Sequence, residues 1–188
     1  MILSELRLAG GKIPNPYEWH RLLWSMFPEE PEKKRDFVFQ VNRENGSILM
    51  LSASAPVQPE SGAIRFIRSR PFVPKLAPGE VLRASLRASP SKRESKSRRR
   101  LGLLNHDEQL AWLQRKMTGA RVIKAEIRGP EPLHFRKDRN AGTLFVCQFV
   151  FLMEVVAPEL LVETMRKGIG PGKAFGCGLL LLQRVSVT

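Results

Sequence analysis

The chain has 188 residues, 43% of them hydrophobic, enough for one large domain or two small ones around a packed core. Its 31 Lys and Arg against 18 Asp and Glu leave a net charge of +13, which suits a polyanionic partner such as nucleic acid or an anionic membrane face; a merely soluble basic protein has the same balance. No stretch nears the roughly 18 consecutive apolar residues of a membrane span, and MILSELRLAGG lacks the apolar core of a signal peptide, so a cytoplasmic protein is expected.

The first segment, ILSELRLA, alternates apolar and polar residues as a half-buried strand does, and Gly10 and Gly11 break it. NPYEWHRLLWSMF follows, with Pro16 suited to a first helical position after Asn15 and with Trp19, Leu22, Leu23, Met26 and Phe27 on one helical face. Pro28 and Pro31 end it. DFVFQVNRENGSILMLSAS reads as two strands joined at a tight turn around Asn45 and Gly46. GAIRFIRSR is a further strand, and RPFVPKLAPG then sets three prolines within eight residues, which predicts a domain boundary near residues 71 to 79.

The second half repeats the order: strand EVLRASLRAS, a basic loop, a helix from about His106 to Met117, strands ARVIKAEIR and GTLFVCQFVFLMEV separated by RKDRNAG, a helix, and strand GLLLLQRVSV. Asn105 and Glu108 have the spacing of an N-terminal capping box. The last helix starts at Pro158 with Glu159 near its positive end, has Arg166 and Lys167 near its negative end, and stops at Gly168. Two halves that each approximate βαββαβ predict an α+β fold of two tandem ferredoxin-like, RRM-like domains, residues 1–75 and 79–188. In the first half a short crossover stands where the second helix belongs.

Cys147 and Cys177 are the only cysteines, and His20, His106 and His134 lack paired metal-ligand spacing, so neither a disulfide framework nor a metal or cofactor is expected. GIGPGKAFGCG, residues 168 to 178, holds five of the fourteen glycines. As a P-loop it fails, because Lys167 stands where a glycine is needed and Ala174 where a hydroxyl is needed; as a dinucleotide loop it fails because Lys173 replaces the third glycine. The residues leave open a helix C-cap with an irregular turn, or a phosphate cradle built from Gly168, Gly170, Gly172, Lys173 and Gly176.

At about 100° per residue, Tyr17, His20, Arg21 and Trp24 share an arc beside the apolar face of the first helix. Phenol, imidazole and guanidinium could meet there on one ligand, with His20 suited to proton transfer; a partly buried histidine at the edge of the core is the competing reading. SKRESKSRRR carries Lys92, Arg93, Lys96, Arg98, Arg99 and Arg100, either a solvated face or a phosphate-binding segment. Arg115 and Lys116 at a helix end, and Arg136, Lys137 and Arg139 at a hairpin tip, are further candidate contacts.

YEWHRLLWSMFP, KKRDFVFQV, EQLAWLQRKM and KGIGPGKAFGCGLLLL together resemble the CRISPR RNA-processing endoribonucleases of type I-E systems, the CasE family of Cascade subunits. The similarity runs in order over nearly the whole chain, and the glycine loop and the Tyr-x-x-His helix are its most specific parts. The resemblance implies tandem ferredoxin-like domains and a metal-independent nuclease that binds the hairpin of each CRISPR repeat transcript, cuts at the base of the stem and keeps its product, alongside other Cascade subunits and away from any membrane. His20 and Tyr17 match the family's catalytic helix, and Lys173 is the cation of its glycine loop. The basic run matches in character more than residue by residue. A non-catalytic basic RNA-binding module is the competing class.

Overall fold

The computed structural model describes residues 1–9, 15–27, 36–59, 61–94, 100–137 and 140–185. β1 (Ile2–Leu8), α1 (Pro16–Trp24), β2 (Phe37–Val41), β3 (Ser47–Ser52) and β4 (Ile64–Pro71) build one half. β5 (Val81–Ala88), β6 (Ser91–Arg93), β7 (Arg100–Gly102), α2 (His106–Lys116), β8 (Ala120–Lys137), β9 (Asn140–Val155), α3 (Pro158–Lys167) and β10 (Leu180–Arg184) build the other, with a 3-10 turn at Lys173–Phe175.

The first sheet has the order β2-β3-β1-β4 and the second β10-β5-β9-β8. Counting β5, β8, β9 and β10 as first to fourth, the two orders are the same ferredoxin-like order read from opposite edges. All pairings between neighbours are antiparallel. Between β3 and β4 the described residues contain no helix, so the crossover expected from the sequence is present.

Strand alternation decides what each sheet face touches. In β2 and β3, Phe37, Phe39, Val41, Ile48 and Met50 face α1 and bury Trp19, Leu23 and Met26. The intervening Val38, Leu49 and Leu51 face the other way, onto Leu179, which leads into β10, and Leu181 of β10 itself. In the second half Leu82, Ala84, Leu86 and Ala88 of β5 and Phe149, Phe151 and Met153 of β9 pack against Trp112 and Leu113 of α2 and Leu161 and Met165 of α3. The first sheet is therefore covered on both faces: on one side by its own helix, on the other by the second half of the chain.

Three local readings change. The Asn45–Gly46 turn is part of a wider loop between Asn42 and Ser47, closed by an N–H···O bond of 2.8 Å with Gly46 at φ +68°. The basic loop is in part a two-stranded hairpin: Lys92 and Arg93 lie on β6, Arg100 on β7, with Arg93 opposite Arg100. β8 continues well beyond the predicted strand, to Lys137, because a register shift between Arg128 and Glu131 lets it pass through Gly129-Pro130 without ending, and β9 starts at Asn140, close to its predicted start.

All five glycines of the 168–178 loop have positive φ. Gly168, at +70°, lies against the first sheet, where an added Cβ would stand 2.4 Å from Val38 Cγ1. Gly168→Ala should therefore destabilise the fold by at least about 1 kcal/mol, from the strained φ and the clash together. Chemical denaturation checks this: the midpoint should fall, and an unchanged midpoint would mean that loop and sheet separate easily.

Candidate active site and nucleic-acid interface

α1 begins at Asn15, whose Oδ1 accepts the Tyr17 N–H, with Pro16 in the first turn. Its inner face is anchored by Trp19 and Leu23, which turns Tyr17, His20, Arg21 and Trp24 to one side, as the helical arc predicts. Those side chains line an open cleft of about 350 Å³, and Ala174 of the glycine loop lines it from opposite. Tyr17 and Arg21 are exposed, and His20 is half-buried. The imidazole stacks on Phe37, with ring centroids 5.7 Å apart, lies 5.6 Å from the Trp24 ring, and has its Nε2 turned away from solvent. His20 thus both borders the aromatic core and lines the cleft.

The glycine loop separates this cleft from a larger one. Gly168, Gly170, Gly172 and Lys173 line a cavity of about 610 Å³ together with Arg100 of β7, Lys116 of α2 and Lys167 of α3. Cations from three elements and the loop thus converge on one concave surface. Lys173 belongs to this side, and its Nζ donates to the Lys167 carbonyl at the end of α3. Gly170 could not be another residue without displacing Trp112, whose ring would stand 2.6 Å from its Cβ. Gly176 faces the first half, where an added Cβ would come within ordinary contact distance of Phe39 and Trp19.

The other predicted contacts spread around these clefts. Lys92 Nζ pairs with Glu108 Oε1 at 2.7 Å, which ties β6 to the first turn of α2. Asn105 Oδ1 caps that helix by accepting from Asp107 and Glu108 N–H. Arg93 and Arg115 are exposed, and Arg136 is exposed near the end of β8. Lys137 is the last residue of β8; Lys96, Arg98, Arg99 and Arg139 lie outside the described residues. At the end of α3, Glu163 accepts from Arg166 and Lys167, which hold its carboxyl down at about 2.

The sequence reading missed Asn15 as more than a cap, and it missed Phe135. Asn15 Nδ2 donates to the Arg136 carbonyl and Asn15 Oδ1 accepts from the Arg136 N–H at 3.1 Å. The Phe135 ring lies 4.4 Å from that of Phe175. Only the Asn-Pro pair before the helix hinted at the first contact; nothing local marks the second.

A family profile described as CRISPR associated protein matches residues 2–184. The chain belongs to that family. It is 31% identical to the CRISPR system Cascade subunit CasE of Escherichia coli K12, over 97% of this chain and 98% of that one. It is 33% identical to the CRISPR-associated endoribonuclease Cse3 of Thermus thermophilus, over 93% and 92%. The structure of Thermus thermophilus Cse3 bound to an RNA representing a pre-cleavage complex superposes with a TM-score of 0.86 at 30% identity, covering 97% of this chain and 98% of that one. Membership agrees with the tandem ferredoxin-like fold and with the resemblance drawn from the four motifs.

Two buried thiols border the glycine loop's surroundings, Cys177 within it and Cys147 on β9. Burial raises both to about 11, Glu131 adding to it for Cys147. At pH 8 each should carry roughly a hundredfold less thiolate than an ordinary cysteine. Alkylation by iodoacetamide should accordingly be slow in the native protein and fast in denaturant; rapid native labelling of Cys177 would show the loop opening on its own.

Proposed function

We propose that this CRISPR associated protein is a cytoplasmic endoribonuclease that needs no metal ion. It binds the stem-loop of CRISPR repeat transcripts, cuts at the base of the stem, and stays on the product as a Cascade subunit. The observation that carries this reading is the pair of clefts on either side of the glycine loop, one bearing Tyr17, His20 and Arg21, the other Arg100, Lys116, Lys167 and Lys173. Residues 1–75 act as the unit that carries the catalytic helix, and residues 79–188 as the unit that grips RNA.

RNA supplies its own nucleophile. Attack of a 2′-hydroxyl on the adjacent phosphorus forms the new P–O bond, breaks the bond to the 5′ oxygen, and leaves a 2′,3′-cyclic phosphate and a 5′-hydroxyl. The protein has to hold the two nucleotides in line, take a proton from the 2′-oxygen, give one to the leaving oxygen and offset charge on the phosphorane. His20 serves in one proton transfer, and the Tyr17 hydroxyl beside it orients the phosphate or shares the other. Arg21 lies in the same cleft as a fixed cation, and Lys173 offers its charge from the loop. An A-form stem is recognised through its shape and phosphates, which suits a concave cationic surface better than a set of base-reading side chains.

The competing reading is a non-catalytic RNA-binding module, and the stacking of His20 on Phe37 is the observation in its favour. A labelled repeat hairpin incubated with the protein in EDTA separates the two: cleavage to a cyclic-phosphate end is expected, and RNA still intact after long incubation defeats the nuclease reading. His20→Ala should slow cleavage by about 10² to 10⁴ while the hairpin remains bound.

The cationic cleft has its own test. Lys116→Ala should weaken hairpin binding and lower the salt dependence of the affinity by about one counterion. Binding isotherms at several salt concentrations measure this, and an unchanged slope would remove Lys116 from the interface.

A further inference from the structure

The end of β8 holds both walls of the His20 cleft. β8 is an edge strand of its sheet, so the outward N–H and C=O groups of its residues have no strand beyond them among the described residues. At Arg136 both groups are taken by one side chain: Asn15 Nδ2 donates to the carbonyl and Asn15 Oδ1 accepts from the N–H at 3.1 Å. That exchange of two hydrogen bonds is how paired residues meet in an antiparallel ladder. The Asn15 carboxamide thus extends the sheet by one amide.

The same Oδ1 accepts from Tyr17 N at 3.3 Å and caps α1. One residue earlier on β8, the Phe135 ring packs 4.4 Å from Phe175, which follows Ala174 in the loop. The Tyr17 and His20 wall is tied to Arg136, and the Ala174 wall is tied to Phe135.

We propose that Asn15 is a positioning residue for RNA cleavage: it sets the start of α1, and with it Tyr17 and His20, against the strand that also holds the glycine loop. This rests on reading the cleft as the cleavage site. A cap alone is served as well by Ser or Asp. Only a carboxamide brings a donor and an acceptor side by side on so short a side chain, which is what the Arg136 peptide groups require. Asn15 caps the helix of one half and Arg136 lies on the hairpin of the other, so the contact fixes how the two halves meet at the cleft.

Asn15→Asp and Asn15→Ser both keep a capping oxygen, and both are compared with His20→Ala. The aspartate has no donor for the Arg136 carbonyl, and the serine has a single, shorter-reaching hydroxyl in place of the two atoms that meet the Arg136 peptide groups. At saturating enzyme, single-turnover cleavage by both Asn15 variants should fall at least about tenfold, since a misplacement of ~1 Å near reacting atoms can cost on the order of 10² in rate. Affinity for a hairpin with a 2′-deoxy nucleotide at the scissile position should stay at the wild-type value. Tyr17 is the only tyrosine, so fluorotyrosine labelling gives one fluorine resonance from the start of α1. In RNA-free Asn15→Ser that resonance should shift or broaden.

Wild-type cleavage by both Asn15 variants, with His20→Ala inactive, overturns the positioning role alone. Cleavage by His20→Ala overturns the reading of the cleft. Parallel loss of cleavage, hairpin affinity and melting temperature would make Asn15 merely structural, and overturns the proposal as well.

Discussion

Everything at the candidate site depends on the apolar seam between the first sheet and the start of β10. Leu179 and Leu181 lie against Val38, Leu49 and Leu51, on the sheet face that α1 does not cover. A side chain of this class, fully buried, contributes about 1.5–3 kcal/mol through the water it sheds. Leu179, Val38 and Leu51 are each nearly inaccessible. With that seam formed, the glycine loop has no freedom to lie elsewhere: it leaves α3 at Gly168 against Val38 and returns at Gly178, which donates to the Arg87 carbonyl of β5. Ala174, at the loop's outer turn, is thereby brought to α1.

The loop's position also separates two kinds of chemistry. On one side are rings and an imidazole close to the aromatic core; on the other are ammonium and guanidinium groups held at the ends of α2, α3 and β7. Cations at helix C-termini are favoured by the helix dipole, so Lys116 and Lys167 are placed at no electrostatic penalty to the fold. Part of the positive charge is engaged internally. Glu163 holds Arg166 and Lys167, and Arg166 reaches Asp36 at 3.7 Å, a bond between α3 and the entry to β2. Glu163 has a lowered carboxyl, so whatever those exposed pairs contribute is present above its unfolded titration and is lost as pH falls from there through about 2. Near neutral pH the seam therefore keeps this polar clasp.

Much of the fold was legible because its signals are local. Alternation in β1 to β3, the face of α1 defined by Trp19, Leu23 and Met26, the cap at Asn105 and the first-turn proline Pro158 each depend on a few neighbouring residues. Repetition of the order in both halves then gave the topology. What was not legible depends on distant partners. The glycine cluster matched no nucleotide motif because its demands come from Val38, Trp112 and Leu144, residues of three other elements. Gly129-Pro130 reads as a break, and only pairing with β9 carries the strand through it. The charges in residues 92–100 show that a basic segment exists but not that a hairpin presents part of it.

The Tyr17 and His20 helix illustrates the difference between composition of a site and its precision. Residue types and a rotation of about 100° per residue sufficed to place a phenol, an imidazole and a guanidinium on one arc. They could not say what faces that arc or how firmly it is held. α1 is nine residues long, below the length at which a helix is stable by itself, so its direction is imposed by tertiary contacts. Trp19 and Leu23 fix it against its own sheet, and Asn15 joins it to β8 of the other half. A reaction whose nucleophile and leaving group both belong to the RNA leaves the protein chiefly the work of holding geometry and moving protons. For such work the contacts that fix a short helix count as much as the groups it carries.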